Sequence, residues 1–251
     1  MSPARRITLI TGAGRGIGAA TARLCAAHGH DLALGYARDA GAAEALADEL
    51  RELGRRVLCV QADVADEAQV LAMFARIDAE LGRLSGLVNN AGIVAPAARL
   101  DEMDVARWQR LFGVNVIGSL LCAREAVKRM SRRHGGPGGA IVNVSSRAAQ
   151  LGSPGIYVDY AASKGAVDTL TVGLARELID EGIRVNGVRP GIIATEIHAD
   201  SGTVDGLAAA AAAIPIGRLG RADEVAEAIV WLLSDAASYT VGATLDVAGG
   251  R

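Results

Sequence analysis

The chain has 251 residues and a formal net charge of −2, and it is 51% hydrophobic with only 3% aromatics. That length suits one domain or two small ones, the charge gives no footprint for nucleic acid, and the core has to be aliphatic. No apolar run reaches the length of a membrane span, "MSPARRITLI" lacks an h-region, and Cys25, Cys59 and Cys122 form no CxxC, so a cytoplasmic chain with core thiols and no metal site is expected.

Apolar runs then alternate with helical patterns. "RITLIT" at 6–11 predicts a first strand, followed by a glycine-rich turn and a helix to about His28. His28 and His30 straddle a glycine there, as in a helix cap or solvated turn. A strand at 31–36 precedes a helix at 40–53, a strand at 56–63 precedes a helix at 67–81, and "LSGLVNNAG" at 84–92 predicts the fourth strand. One long helix is expected from about Asp104 to Arg133, ended by "HGGPGG". Beyond it come a strand at 140–146, a helix from about Tyr157 to Asp180, a strand at 183–191, a helix at 222–235 and a last strand at 242–250. Unbroken apolar strands alternating with helices predict an α/β fold, a doubly wound parallel seven-stranded sheet covered on both faces, in a single domain over 1–251. Residues 196–219 have no strand pattern and read as a lid or substrate loop over one end of the sheet.

The first strand ends in "TGAGRGIG", Thr11 to Gly18. Gly12, Gly16 and Gly18 can take positive φ or admit close backbone approach, and the following helix offers free N–H groups to an anion. In this strand–turn–helix setting the string reads as a dinucleotide phosphate cradle, ahead of a mere tight turn. No acid sits at the tip of the second strand to bond a ribose 2′-hydroxyl, whereas Arg15 and Arg38 flank the same pocket. Two guanidiniums favour a 2′-phosphate, hence NADP(H) over NAD(H), although NAD(H) stays possible. The blander alternative is two solvated arginines, with Asp39 pairing Arg38.

Four motifs in order, "TGAGRGIG" (11–18), "NNAG" (89–92), "YAASK" (160–164) and "RPGIIAT" (189–195), resemble those of the short-chain dehydrogenases/reductases across nearly the whole chain. The resemblance implies a Rossmann sheet, often in homotetramers or homodimers. It also implies NAD(P)-dependent interconversion of a small-molecule carbonyl and an alcohol, with no nucleic acid or membrane partner. Its catalytic positions fall on Asn115, Ser146, Tyr160 and Lys164. Its cofactor positions fall on Gly12, Gly14, Arg15, Gly16, Ile17, Gly18, Arg38, Asp63, Val64, Asn90, Ala91, Gly92, Tyr160, Lys164, Pro190, Gly191, Ile193 and Thr195.

Elementary chemistry agrees with those roles. Tyr160 and Lys164 lie four apart, on one face of a helix. A phenol with a pKa near 10 needs roughly 4 kcal/mol to drop about three units, and an ammonium at ~4 Å supplies about that at an effective dielectric near 20. Tyr160 then acts as general acid or base. Ser146 ends the fifth strand and can donate to the substrate oxygen, while Ser145 points to the other face. Asn115 is unfavourable in mid-helix, which suggests either a role or a kink. Arg147, Gln150 and Tyr157 are candidates for the pocket wall, and His198 is a poor catalytic candidate. The basic stretch "KRMSRRH" (128–134) could greet an acidic carrier, as in a 3-oxoacyl-[acyl-carrier-protein] reductase. Asp180 and Glu181 argue against that partner. A non-catalytic NADP(H)-binding regulator would have no need of the Ser, Tyr and Lys, all of which this chain keeps.

Overall fold

The computed structural model describes residues 6–195 and 211–251. One sheet gathers seven parallel strands in the order β3-β2-β1-β4-β5-β6-β7. The strands are β1 (Ile7–Thr11), β2 (Asp31–Tyr36), β3 (Val57–Gln61), β4 (Gly86–Asn89), β5 (Gly139–Val144), β6 (Ile183–Pro190) and β7 (Thr244–Val247). The reversal of order lies between β1 and β4, where doubly wound sheets bind ligands at the strands' carboxyl ends.

Alternate residues of each strand feed two cores. On one face Ile10, Leu34, Val88 and Val142 pack under α1 (Gly16–Ala27), α2 (Ala40–Glu52) and α8 (Ala222–Leu233). On the other, Leu9, Ala33, Leu87 and Ile141 meet α3 (Glu67–Glu80), α5 (Gly118–Met130) and α7 (Val158–Leu178). Continuous burial of β1 follows from having helices on both faces, so "ITLIT" shows no alternation. The side chains of Asp39 and Asp66 cap α2 and α3.

Three expectations need correction. The helix expected over 104–133 is divided into α4 (Val105–Phe112), a π-helical turn (Gly113–Ile117) and α5. Asn115 is fully buried in that turn, and its amide bonds outside the helix, which favours a widened turn over a continuous helix. Gly118 lets the chain resume against Val64, whose side chain would meet an added Cβ at 2.6 Å. A second difference is the short helix α6 (Ala148–Leu151), whose single turn is too brief to leave a periodic signal. Most of the expected lid, with His198, lies outside the described residues, while Ile214 packs inside the protein at 3% exposure.

The third correction concerns His30. His28 is the exposed cap of α1, but His30 is buried, with Nδ1 2.9 Å from the Thr8 hydroxyl. Burial, helped by the charges of Arg6 and His28, pushes its pKa from 6.5 down to about 4. The unfolded chain therefore binds this proton at higher pH than the fold does, and stability is lost as pH falls from about 6.5 to about 4. The loss amounts to up to about 3 kcal/mol. Thermal unfolding followed across that window should show the decline, and His30→Asn should flatten it; an unchanged slope would reject this cause.

Candidate active site

At the carboxyl edge of the sheet two cavities adjoin, sharing Ile17, Asn90, Gly92 and Thr195 in their walls. The first, about 330 Å³, is floored by the turn between β1 and α1. Gly12 and Gly16 take φ of 65° and 54°, the left-handed region that favours glycine. Gly18 has a different reason: an added Cβ would lie 2.3 Å from the Gly12 carbonyl oxygen. Asn90 braces the turn by donating through Nδ2 to the carbonyls of Thr11 and Gly12, both at 2.9 Å. The Thr11 hydroxyl accepts from the backbone N–H of Asn90 and Ala91 at 3.1 and 3.0 Å. Asn89 looks inward instead, donating to Asn143 Oδ1 at 2.9 Å, so "NNAG" ties strands together as well as shaping the cavity.

This cavity fits a dinucleotide phosphate. Arg15 stands at the N-cap of α1 and makes no side-chain cap bond there, so no cap side chain takes up the helix's first N–H groups. Gly14, Arg15, Gly16, Ile17, Arg38, Asp63, Val64, Asn90, Ala91 and Gly92 all line it. Gly18 lies beneath rather than in the wall. Asp39 does not pair Arg38; its carboxylate accepts from Ala42 N–H at 2.9 Å, and Arg38 is exposed. The Asp63 carboxylate is engaged by Arg110 at 2.6 Å and by the Ala65 N–H at 3.0 Å. Arg110 also lines the cavity. Sequence reasoning missed it because one arginine on an amphipathic helix carries no motif.

The second cavity, about 680 Å³, brings together Ser146, Tyr160 and Lys164 with Pro190, Gly191, Ile193 and Thr195. Arg147 and Tyr157 line it as expected, whereas Gln150 does not. Val94, Leu151, Pro154, Ile156 and Ile192 give it an apolar wall. Both adjacent serines lie in its wall, but their partners differ: Ser145 Oγ is buried and donates to the Lys164 carbonyl at 3.0 Å. The Ser146 hydroxyl instead accepts from Ala148 N–H at 3.1 Å and lies beside the Tyr160 phenol. Tyr157 meets Tyr160 edge-on, ring centres 6.4 Å apart.

Lys164 is 5% exposed, its Nζ donating to the Val144 carbonyl at 2.8 Å and lying 5.7 Å from the centre of the Tyr160 ring. Asn115 does not line either cavity. It sits behind Lys164, accepting at Oδ1 from Ile93 N–H at 2.8 Å and donating to the Ile93 carbonyl and Ser163 Oγ at 3.0 and 3.1 Å. Gly92 separates the two, since an added Cβ would meet Lys164 Nζ at 3.4 Å and Asn115 Oδ1 at 3.5 Å.

The expected lowering of the phenol pKa is not what this arrangement gives. Burial raises the Tyr160 pKa; the Ser146 hydroxyl works against that rise and Tyr157 adds to it. Burial likewise pulls Lys164 down, to about 8, with Asp168 opposing. Burial thus penalises the charged form of both groups, and the lysine is bonded to a carbonyl rather than to the phenol.

Another feature that sequence reasoning missed fixes the start of α7. Arg107 grips Asp159 through two bonds, at 2.7 and 3.2 Å, and donates to the Pro96 carbonyl at 2.6 Å. Asp159 Oδ1 also accepts from the Tyr160 N–H at 2.9 Å. The pair anchors the residue before Tyr160 to α4 and to the loop after β4.

A nucleotide-sized glycine cradle opening into a cleft that holds a serine, a tyrosine and a lysine marks a dinucleotide-dependent oxidoreductase fold. A family model described as "Enoyl-(Acyl carrier protein) reductase" matches residues 12–251. The oxidoreductase YgfF of Escherichia coli K12 is 51% identical over 245 residues, covering 98% of this chain and 99% of its own. Cis-4-hydroxycyclohexanecarboxylate dehydrogenase of Sinomonas cyclohexanicum is 46% identical over 252 residues, covering 98% and 96%. A short-chain dehydrogenase from Burkholderia cenocepacia, solved in complex with NADP, superposes with a TM-score of 0.89 at 35% identity, covering 98% and 97%. The chain belongs to the short-chain dehydrogenase/reductase family of NAD(P)-dependent oxidoreductases.

Proposed function

We propose that the protein is an NADP(H)-preferring carbonyl reductase or alcohol dehydrogenase acting on a small molecule in the larger cavity. The observation that carries this reading is the convergence of Ser146, Tyr160 and Lys164 on one cleft beside the glycine cradle. A nicotinamide dinucleotide bound across both cavities supplies the hydride donor or acceptor. Around it the chain's own groups divide the work. The Tyr160 phenol gives its proton to the carbonyl oxygen in reduction and takes it back in oxidation. The Ser146 hydroxyl donates to the same oxygen and stabilises its developing charge. Lys164 holds the ribose hydroxyls and adds positive charge beside the phenol. Asn115 braces Ile93 and Gly92 behind the lysine. Thr195, Ile193 and the Pro190–Gly191 turn seat the nicotinamide end, and Asp63 and Val64 frame the adenine.

Arg15 and Arg38, with Arg110 nearby, support NADP(H), a preference in keeping with the NADP-bound relative. The apolar wall and the relative named for a hydroxycyclohexane carboxylate make compact cyclic alcohols and ketones the first substrates to try. The carrier-protein reading is weakened, since Lys128 and Arg129 are paired with Glu125 and Asp78 rather than left free for a partner. Exposed Val105 on α4, Ile117 in the π-helical turn and Leu120 on α5, with Val172 on α7 and Ile179 just past its end, support a homotetramer or homodimer. No helix among the described residues is long and apolar enough to cross a membrane, and we place the protein in the cytoplasm.

The test is a panel of cyclic and open ketones, aldehydes, sugars and acyl thioesters, followed by NADPH absorbance. Turnover of at least one small carbonyl, with none of the thioester, supports the reading; turnover of the thioester alone would replace it with the carrier-protein one. Arg38→Ala, run alongside, should raise KM for NADPH about 10- to 100-fold, as expected for losing a charged hydrogen bond, and leave KM for NADH nearly unchanged. Equal changes for the two cofactors would overturn the preference.

A further inference from the structure

Lys164 stands near one end of a chain of alternating charges of which only Arg189 falls in one of the family's motifs. One helical turn beyond it on α7 lies Asp168, on the same face. Arg189 of β6 donates to Asp168 Oδ2 at 2.8 Å and to Asp246 Oδ1 of β7 at 3.3 Å. The other oxygen of Asp246 accepts from Arg147 at 2.8 Å, and Arg147 directly follows Ser146. Arg147, Arg189 and Asp168 are each less than a fifth exposed. Two acids and two arginines thus link the helix carrying Tyr160 and Lys164 to the loop carrying Ser146.

The second oxygen of Asp168 is buried and has no hydrogen-bond partner among the described residues. A buried unmet carboxylate oxygen is costly, and three of the four charges here could be replaced by apolar groups if packing were their only service. We propose that Asp168, held by Arg189, is a positioning residue that keeps the Lys164 ammonium charged inside the cleft, and that the same ion-pair chain sets the Ser146 loop against it. This rests on the reading of Lys164 as the cation that serves the site.

The groups facing Lys164 are few. From β5 comes the Val144 carbonyl, from the turn after β4 comes Gly92 with Asn115 behind it, and from α7 itself come Tyr160 and Asp168. Among the described residues Asp168 is the carboxylate acting on the lysine, opposing the burial that lowers its pKa to about 8. The signs are therefore fixed. Removing the acid lets Lys164 lose its proton at lower pH. Removing Arg189 frees the acid's full charge and moves the loss to higher pH. A merely structural role would not give shifts of opposite sign.

Lys128 and Lys164 are the only two lysines in the chain, so 15N-lysine labelling of the full-length protein yields one side-chain ammonium to follow and one reference. Titration of the Lys164 signal should show Asp168→Asn lowering its midpoint by about one pH unit and Arg189→Gln raising it. Asp168→Glu should restore it. The falling high-pH limb of kcat/KM for carbonyl reduction should move the same way. If Arg189→Gln does not fold, Arg189→Met replaces it, with the same rise expected. A Lys164 midpoint unmoved in folded Asp168→Asn, or shifts of one sign in both variants, would overturn the proposal. Turnover with an unmoved midpoint would overturn this inference alone. A moved midpoint in a protein that reduces no carbonyl would overturn the proposed function and leave the Asp168–Lys164 coupling standing.

Discussion

Replacing Tyr160 by Phe should lower kcat about 10²- to 10⁴-fold, the range typical of a lost general acid–base group, while NADPH still binds. The ring would keep its edge-on contact with Tyr157 and its place in the wall of the larger cavity, so only the hydroxyl beside Ser146 is removed. Stopped-flow turnover together with NADPH fluorescence titration separates the two effects. Because burial raises the phenol's pKa here, the group is protonated throughout the neutral range, which suits proton donation in the reductive direction. Retained turnover would remove Tyr160 from the mechanism. Loss of NADPH binding along with turnover would show that the hydroxyl matters for the cofactor rather than for the proton.

The second large effect is expected at Gly18. Its missing side chain is replaced on three sides by fixed neighbours: the Gly12 carbonyl oxygen 2.3 Å, Asn90 Nδ2 2.7 Å and Ala13 Cα 3.0 Å from where a Cβ would stand. Two of those are backbone, so the methyl of Gly18→Ala can be accommodated only by moving the turn or the helix. A cost of about 3 kcal/mol or more is expected, the upper end for overpacking, with loss of NADPH binding. Gly14→Ala is the natural control. Its added Cβ would meet nothing nearer than 3.8 Å, and the unfolding midpoint should barely change. Matching denaturant curves for the two variants would show that the turn is far softer than its contacts imply.

The two glycines also show what was legible in the sequence. That Gly12, Gly16 and Gly18 had reasons to be glycine was readable from their place between an apolar run and a helix. Which reason applied to each was not: positive φ at Gly12 and Gly16, close approach at Gly18. The strands were legible because apolar runs bounded by turn residues leave few alternatives, and all seven appear with ends shifted by a few residues. The break at Gly113–Ile117 was legible only as a possible kink at Asn115, because a π-turn keeps helical periodicity on either side and is decided by the distant partners of that one side chain. In the same way the motif placed Ser146, Tyr160 and Lys164 in one cleft, but Arg107–Asp159 and Asp168–Arg189 join residues 52 and 21 positions apart. Pairings at such separations depend on the crossover geometry of the sheet and leave no local pattern.

Strand order carries a consequence for how the chain is born. β1 leaves the ribosome first yet sits between β2 and β4, so its second edge waits for Gly86–Asn89. Until then this inner strand shows an edge of unpaired backbone N–H and C=O groups, the kind of surface on which nascent chains stick to one another. All six pairings are parallel and so need a long crossover, which makes assembly slow as well as exposed. The glycine turn hangs from that same waiting strand, so the cavity it floors cannot exist before the sheet's second half arrives to close it.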